Sequence, residues 1–250
     1  MGALHAAADR LLRCRSSTMS PHRLRRGASH PAHRRTQFTH AFNLDTTLIR
    51  MLLSLRHRFI FIHIYKVAGT SVTRALRPYC RERLPTRLFQ TGRAQSIPTL
   101  PDHITAQELR TEVRDLFDRC FKFAFVRNPW DWQVSLYHYM KQNRKHPQHA
   151  LIRNMTFDEY ITWRVTKDKH LQKEFVTDGE GTIIVDFVGR FERLEEDFDQ
   201  ICQRIGIRPS LPHRNRSRHD DYRSCYTDTT RELIAEHFRP DIELFDYSFG

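Results

Sequence analysis

The chain has 250 residues, with 41 Lys and Arg against 29 Asp and Glu, a formal charge of +12 and 39% apolar residues. That length suits one α/β domain with a sizeable core, and no run reaches the roughly 18 apolar residues of a membrane-spanning helix. The cysteines (Cys14, Cys80, Cys120, Cys202 and Cys225) are widely spaced without a C-x-x-C pair, which argues against zinc and a dense disulfide framework and favours a reducing compartment.

Residues 1–50 form a first zone, rich in Arg, His and Ser, in which Asp9 is the sole acid before Asp45. It is too polar to order itself. Three readings fit: an upstream start codon, a disordered basic arm, or an organelle transit segment. The first two are favoured, because the clusters at Arg23–Arg26 and His33–Arg35 lack an amphipathic stripe.

Residues 51–250 alternate strand and helix. Phe59 to Tyr65 reads as a strand buried on both faces, followed by a helix over Ser71 to Tyr79. Tyr79 to Pro101 carries Pro85, Gly92, Pro98 and Pro101 and reads as a loop. Thr105 and Glu108 form a capping box that opens a helix to about Phe117. Phe121 to Val126 is a second buried strand, with a helix over Asp131 to Asn143. Thr156 and Glu159 form another capping box. Ile183 to Phe187 is a third strand, and Glu192 to Ile205 a helix with acids in its first turn, stopped by Gly206. Thr227 caps a last helix over Asp228 to Phe238, and Pro240 begins a short aromatic tail. The pattern specifies an α/β fold: a central parallel sheet flanked by helices on both faces.

Two strand-to-helix junctions carry the chemistry. A helix N-terminus at the carboxyl edge of a sheet offers unpaired N–H groups to an anion. At the first junction Gly69 permits a tight turn, Thr70 and Ser71 add hydroxyl donors, and Lys66 supplies a point charge. There is no G-x-x-x-x-G-K-[ST] loop. At the second, Arg127 leaves the strand, Asn128-Pro129 turns the chain, and Ser135 lies further along the helix. An arginine fork with a serine hydroxyl suits a phosphate monoester. A ligand with two separated phosphates accounts for both junctions, with the cations of Lys66 and Arg127 at opposite ends of one crevice. His63 reads as a satisfied core residue or one that supports a site residue from behind, and Trp130, Trp132, Tyr137 and Tyr139 mostly as core aromatics.

The pair of motifs resembles the two cofactor motifs of the sulfotransferases, especially the carbohydrate and uronyl type. Lys66, Gly69, Thr70 and Ser71 match the first; Arg127, Asn128, Pro129 and Ser135 match the second, R-[DN]-P-x-x-R-x-x-S. The chain departs from the pattern at Tyr65, where the family often has proline, and at Trp132, where it usually has a basic residue. The resemblance implies a P-loop-NTPase-like sulfotransferase fold and 3′-phosphoadenosine 5′-phosphosulfate (PAPS) as donor, with the bisphosphate PAP as product and no metal. Lys66, Val67, Ala68, Gly69, Thr70 and Ser71 would hold the 5′-phosphosulfate, and Arg127 and Ser135 the 3′-phosphate. Lys66 would stabilise the leaving group. His103, in the loop where uronyl-type relatives carry a catalytic histidine, is the expected general base, ahead of Glu108 and Asp102.

The implied acceptor is a hydroxyl, on a glycan, and no nucleic acid partner is expected. Arg214, Arg216 and Arg218 would close over the nucleotide, bind an acidic acceptor, or stand as a solvated charge run. The acceptor choice falls to Tyr79–Pro101 and Lys141–Asn154. Golgi relatives carry an N-terminal membrane anchor that this sequence does not show, so a cytoplasmic enzyme is expected, with peripheral membrane association as the alternative. Two other functions fit the residues: an atypical nucleotide or small-molecule kinase, and a basic polyanion-binding module.

Overall fold

The computed structural model describes residues 52–80, 103–167, 170–212 and 221–250. The first zone (1–50), most of the Tyr79–Pro101 loop, Asp102, and Arg214, Arg216 and Arg218 lie outside them.

The sheet has four strands: β1 (Leu52–Ser54), β2 (Phe59–Ile62), β3 (Phe121–Val126) and β4 (Phe187–Arg190), in the order β1-β2-β3-β4. β2, β3 and β4 run parallel, and β2 and β3 carry the continuous apolar runs of strands buried on both faces. β1 is antiparallel to β2, so the sheet is mixed and not wholly parallel. The cause is the short turn at Leu55–Arg58, which can only return the chain alongside itself. Ser54 closes that end: its hydroxyl donates to the Tyr79 carbonyl (2.6 Å) and accepts from the His57 amide. Phe59, Phe61, Phe123 and Phe125 are buried across β2 and β3, with Phe61 and Phe123 stacked at 5.3 Å. That aromatic core fixes the height at which both strands deliver their following residues.

β4 starts where the expected Ile183–Phe187 strand ends. Ile183 is 40% exposed and makes only an isolated bridge to Thr177. Pairing with β3 begins at Asp186, whose amide donates to the Lys122 carbonyl and whose carboxylate accepts from the Lys122 amide (2.7 Å). Gly189 then lies against the Phe125 ring, where a Cβ would stand 2.5 Å from it.

The helices are α1 (Gly69–Leu76), α2 (Ala106–Glu112), α3 (Arg114–Arg119), α4 (Pro129–Gln142), α5 (His149–Ile152), α6 (Phe157–Lys167), α7 (Leu194–Ile205), α8 (Asp228–His237) and α9 (Arg239–Phe245). The capping boxes at Thr105 and Thr156 form, as does the cap at Thr227. The helix expected to run from Thr105 to Phe117 breaks at Val113, which leaves the helical region (φ −134°, ψ 45°) with its side chain in the core. Pro240 sits in the first turn of α9, where a proline fits, so the start of the expected aromatic tail is helical as far as Phe245. No described helix is long and apolar enough to cross a membrane.

Candidate active site

β2 ends at Ile62, and α1 begins at Gly69. Between them Lys66 and Ala68 both adopt left-handed backbone (φ 64° each), a conformation that costs a non-glycine residue about 1 kcal/mol or more. The turn closes on the Ala68 carbonyl, which accepts from the Ser71 and Val72 amides. Ala68, the N-cap residue of α1, offers no side-chain acceptor to the helix's first amides.

Gly69 is required here for a reason the sequence did not suggest. The strained positions are its neighbours. Gly69 itself lies against the His63 ring, whose Nε2 would stand 1.7 Å from a Cβ. His63 is not the satisfied core residue it resembles in the sequence, because Nδ1 has no partner among the described residues. Burial, reinforced by the neighbouring His103, pushes its pKa down to about 3. A neutral imidazole is thus wedged between β2 and α1.

Lys66 points its ammonium over the Tyr139 ring, 4.3 Å from the centroid. No carboxylate pairs with it among the described residues. Burial first, and the charge of Arg127 second, lower its pKa to about 8. A desolvated cation beside a second cation, resting on a π face, is a site short of negative charge.

Arg127 is only 3% exposed and heavily engaged. Its Nε donates to Asp131 Oδ2 (2.6 Å), its Nη1 to the Lys66 carbonyl (3.2 Å), and its guanidinium lies on the Phe191 ring at 4.0 Å. The two motifs therefore meet directly: the second grips the backbone of the first. The Arg127 main chain is clasped by the Gln172 amide, which accepts from its N–H (2.9 Å) and donates to its carbonyl (2.8 Å). Gln172 is held in turn by the buried carboxylate of Asp241, which accepts from the Gln172 and Lys173 amides and whose pKa burial pushes up to about 6. Ser135 is buried on α4, and its hydroxyl takes no partner among the described residues.

Asn128 caps α4 by accepting from the Trp130 amide. Its own N–H donates to Glu192 Oε1 (2.6 Å), and its Nδ2 donates to the Ser248 carbonyl (2.7 Å). The last residues are fastened over this cap. The Tyr222 hydroxyl donates to the Phe249 carbonyl, and the Phe249 ring packs on Trp130 at 5.6 Å.

His103 lies beside the first turn. Its Nδ1 is 3.0 Å from the His63 carbonyl, and its ring contacts those of His63 (4.8 Å) and Tyr65 (5.8 Å). A carbonyl oxygen only accepts, so Nδ1 carries the proton and Nε2 the lone pair. Glu108 is committed to the capping box, accepting from the Thr105 amide and hydroxyl.

Asp131, Gln172 and Asp241 were not singled out in the sequence, and Tyr139 was read mostly as a core aromatic. Asp131 was findable, since it stands four residues after Arg127 at the start of a helix. The others reach the site from far along the chain. Trp132 is fully buried, and its Nε1 donates to the Tyr65 carbonyl (2.8 Å) with the two rings 4.8 Å apart. The two positions that depart from the family pattern thus touch each other.

Over residues 50–248 the chain matches the model of the sulfotransferase family. It is 33% identical over 112 residues to an uncharacterised protein of Archaeoglobus fulgidus, covering 44% of this chain and 88% of that protein. It is 26% and 25% identical, over 191 residues, to carbohydrate sulfotransferase 14 of Mus musculus and of Homo sapiens, covering 66% of this chain. It spans about half the length (49%) of those two relatives. No solved structure matches the chain.

Proposed function

This chain belongs to the sulfotransferase family, and we propose that it moves a sulfuryl group from PAPS to a carbohydrate hydroxyl. The observation that carries this reading is Lys66: a half-buried ammonium without a carboxylate partner among the described residues, beside Arg127 at the mouth of an uncapped helix. A phosphosulfate supplies the missing negative charge. The glycan acceptor is supported by the printed names of two relatives. The parallel strand–turn–helix units suit a P-loop-NTPase-like arrangement, with β1 as an antiparallel edge.

In this reading Lys66, the amides of Val67 to Thr70 and the side chain of Ser71 bind the 5′-phosphosulfate. Arg127 Nη2, the nitrogen left over from Asp131 and the Lys66 carbonyl, binds the 3′-phosphate with the Ser135 hydroxyl. The acceptor oxygen attacks sulfur in line. An O–S bond forms to the acceptor, the bond from sulfur to the 5′-phosphate oxygen breaks, and PAP departs with the electron pair. Lys66 stabilises the charge that gathers on that oxygen. His103 Nε2 takes the acceptor proton, in the tautomer fixed by the His63 carbonyl.

The test is thermal stabilisation by PAP against ATP, in wild type and in Lys66→Met. Selective stabilisation by PAP that vanishes in the variant is expected. Stabilisation by ATP alone would indicate a kinase, and equal, salt-sensitive stabilisation by any polyanion would indicate a binding module; either discards the proposal.

A further inference from the structure

The Lys66 turn is strained, and part of what restrains it lies outside both motifs. Tyr65, the residue before Lys66, is fixed at several points. Its carbonyl accepts from Trp132 Nε1, and its ring packs against Trp132, His103 and Phe175. Its hydroxyl accepts from Arg164 Nη2 at 3.0 Å.

Arg164 comes from α6 and is 0% exposed. Its Nε donates to Gln133 Oε1 (3.0 Å), and the Tyr160 hydroxyl donates to the same oxygen (2.9 Å). Because an arginine nitrogen only donates, the Gln133 amide must turn its oxygen to Arg164. Its Nε2 is then left without a partner among the described residues. Burying a guanidinium and stranding an amide both cost stability, and an apolar side chain of the same volume would pack there more cheaply. Besides bonding Gln133 and lying 5.8 Å from the Trp132 ring, the guanidinium reaches the Tyr65 hydroxyl, the one of these contacts that leads directly to the residue before Lys66.

We propose that Arg164, acting through the Tyr65 hydroxyl, is a positioning residue that holds the Lys66 turn in its ligand-ready shape. The inference rests on the reading that this turn binds the donor. Strand β2 fixes the turn at its start, α1 at its end, and Arg127 grips its middle through the Lys66 carbonyl. The Arg164–Tyr65 contact sets the ring immediately before the first left-handed residue. Without it the turn can relax toward ordinary backbone, and Lys66 swings away from the place where the phosphosulfate needs it.

The experiment measures PAP affinity by calorimetry, together with melting temperature, in wild type, Tyr65→Phe, Arg164→Lys, Arg164→Met and the Tyr65→Phe/Arg164→Met double variant. Tyr65→Phe keeps the ring contacts and the backbone bond and removes only the hydroxyl. It is expected to weaken PAP roughly tenfold, the scale of substitutions that act through a contact network, and to lower the melting temperature by the few degrees that leaving buried Arg164 Nη2 without its acceptor costs. Arg164→Lys should recover part of the affinity lost in Arg164→Met. The double variant should bind PAP no worse than Arg164→Met, because the two residues act as one unit.

The pH profile separates positioning from general loosening. In wild type PAP affinity should fall as pH rises past about 8, where Lys66 loses its proton. In Tyr65→Phe that break should move up, since a released Lys66 regains water. Wild-type affinity in Tyr65→Phe, or losses that add in the double variant, would overturn the proposal even if Arg164→Met fails to fold. A wild-type protein that does not bind PAP would instead bring down the donor reading itself.

Discussion

The two strand-to-helix junctions look alike in sequence and differ in state. At the first, Lys66 is a cation with no carboxylate partner among the described residues and a depressed pKa, with a tyrosine ring under it and Arg127 beside it. At the second, Arg127 is buried, bonded to Asp131 and to the Lys66 carbonyl, and its main chain is clasped by Gln172. One junction carries a charge that no carboxylate among the described residues answers, and the other is largely framework that leaves one edge of its fork over. A positively charged residue after a strand therefore does not by itself mark a ligand contact; its partners decide whether the charge is spent inside the protein.

The contrast predicts opposite outcomes for the two cations. Arg127→Met should cost about 3–5 kcal/mol of stability, because it strands the Asp131 carboxylate at the start of α4 and releases the Lys66 carbonyl; denaturant unfolding measures it, and a near-neutral result would show that Arg127 is no framework residue. Lys66→Met should leave the melting temperature at neutral pH no lower than wild type, since it removes a desolvated, unpaired ammonium. Its turnover with PAPS should fall about 10²–10³-fold, as when a single charge-stabilising donor is lost. A large drop in stability with intact turnover would reverse the assignment.

Gly69→Ala tests how firmly the first junction is built. The new methyl must displace the His63 ring, an overpacking that should cost about 1–3 kcal/mol and weaken PAP in parallel. Pairing it with His63→Ala should restore most of the stability, and a failure to do so would deny the wedge.

The smallest effect is a proton. In the free protein Lys66 has a lowered pKa of about 8. A bound phosphosulfate or PAP favours the charged ammonium and raises that value. Affinity should accordingly be level below about pH 8 and decline above it, by at most about tenfold per pH unit. Calorimetry at pH 8.5 in buffers of different ionisation enthalpy should show proton uptake on binding; release would contradict the assignment.

Much of this fold was legible because its signals are local. Thr105, Thr156 and Thr227 each cap a helix within three residues of their partners, and Gly206 ends α7 in left-handed backbone. The apolar runs of β2 and β3 announce burial on both faces. β1 escaped because three residues carry almost no pattern, and β4 because its half-buried strand follows a more apolar stretch that is not paired into the sheet. At the site, Lys66 and Arg127 stood out as residue types in place. Their states did not, since these depend on Gln172, Tyr139 and Arg164, which arrive from other helices and turns. The role of Gly69 was misread for the same reason: the ring it accommodates is set by the path of β2 and not by the turn.

The fastening of Ser248 and Phe249 over the Asn128 cap has a practical consequence. Those residues brace the helix that carries Ser135 and follows Arg127, so a substitution at Asn128 or Tyr222 that frees them should be felt at the Arg127 junction. By reciprocity, PAP bound there in the proposed manner should slow amide hydrogen exchange at Ser248 and Phe249. That exchange rate then becomes a label-free gauge of occupancy more than a hundred positions away in the chain.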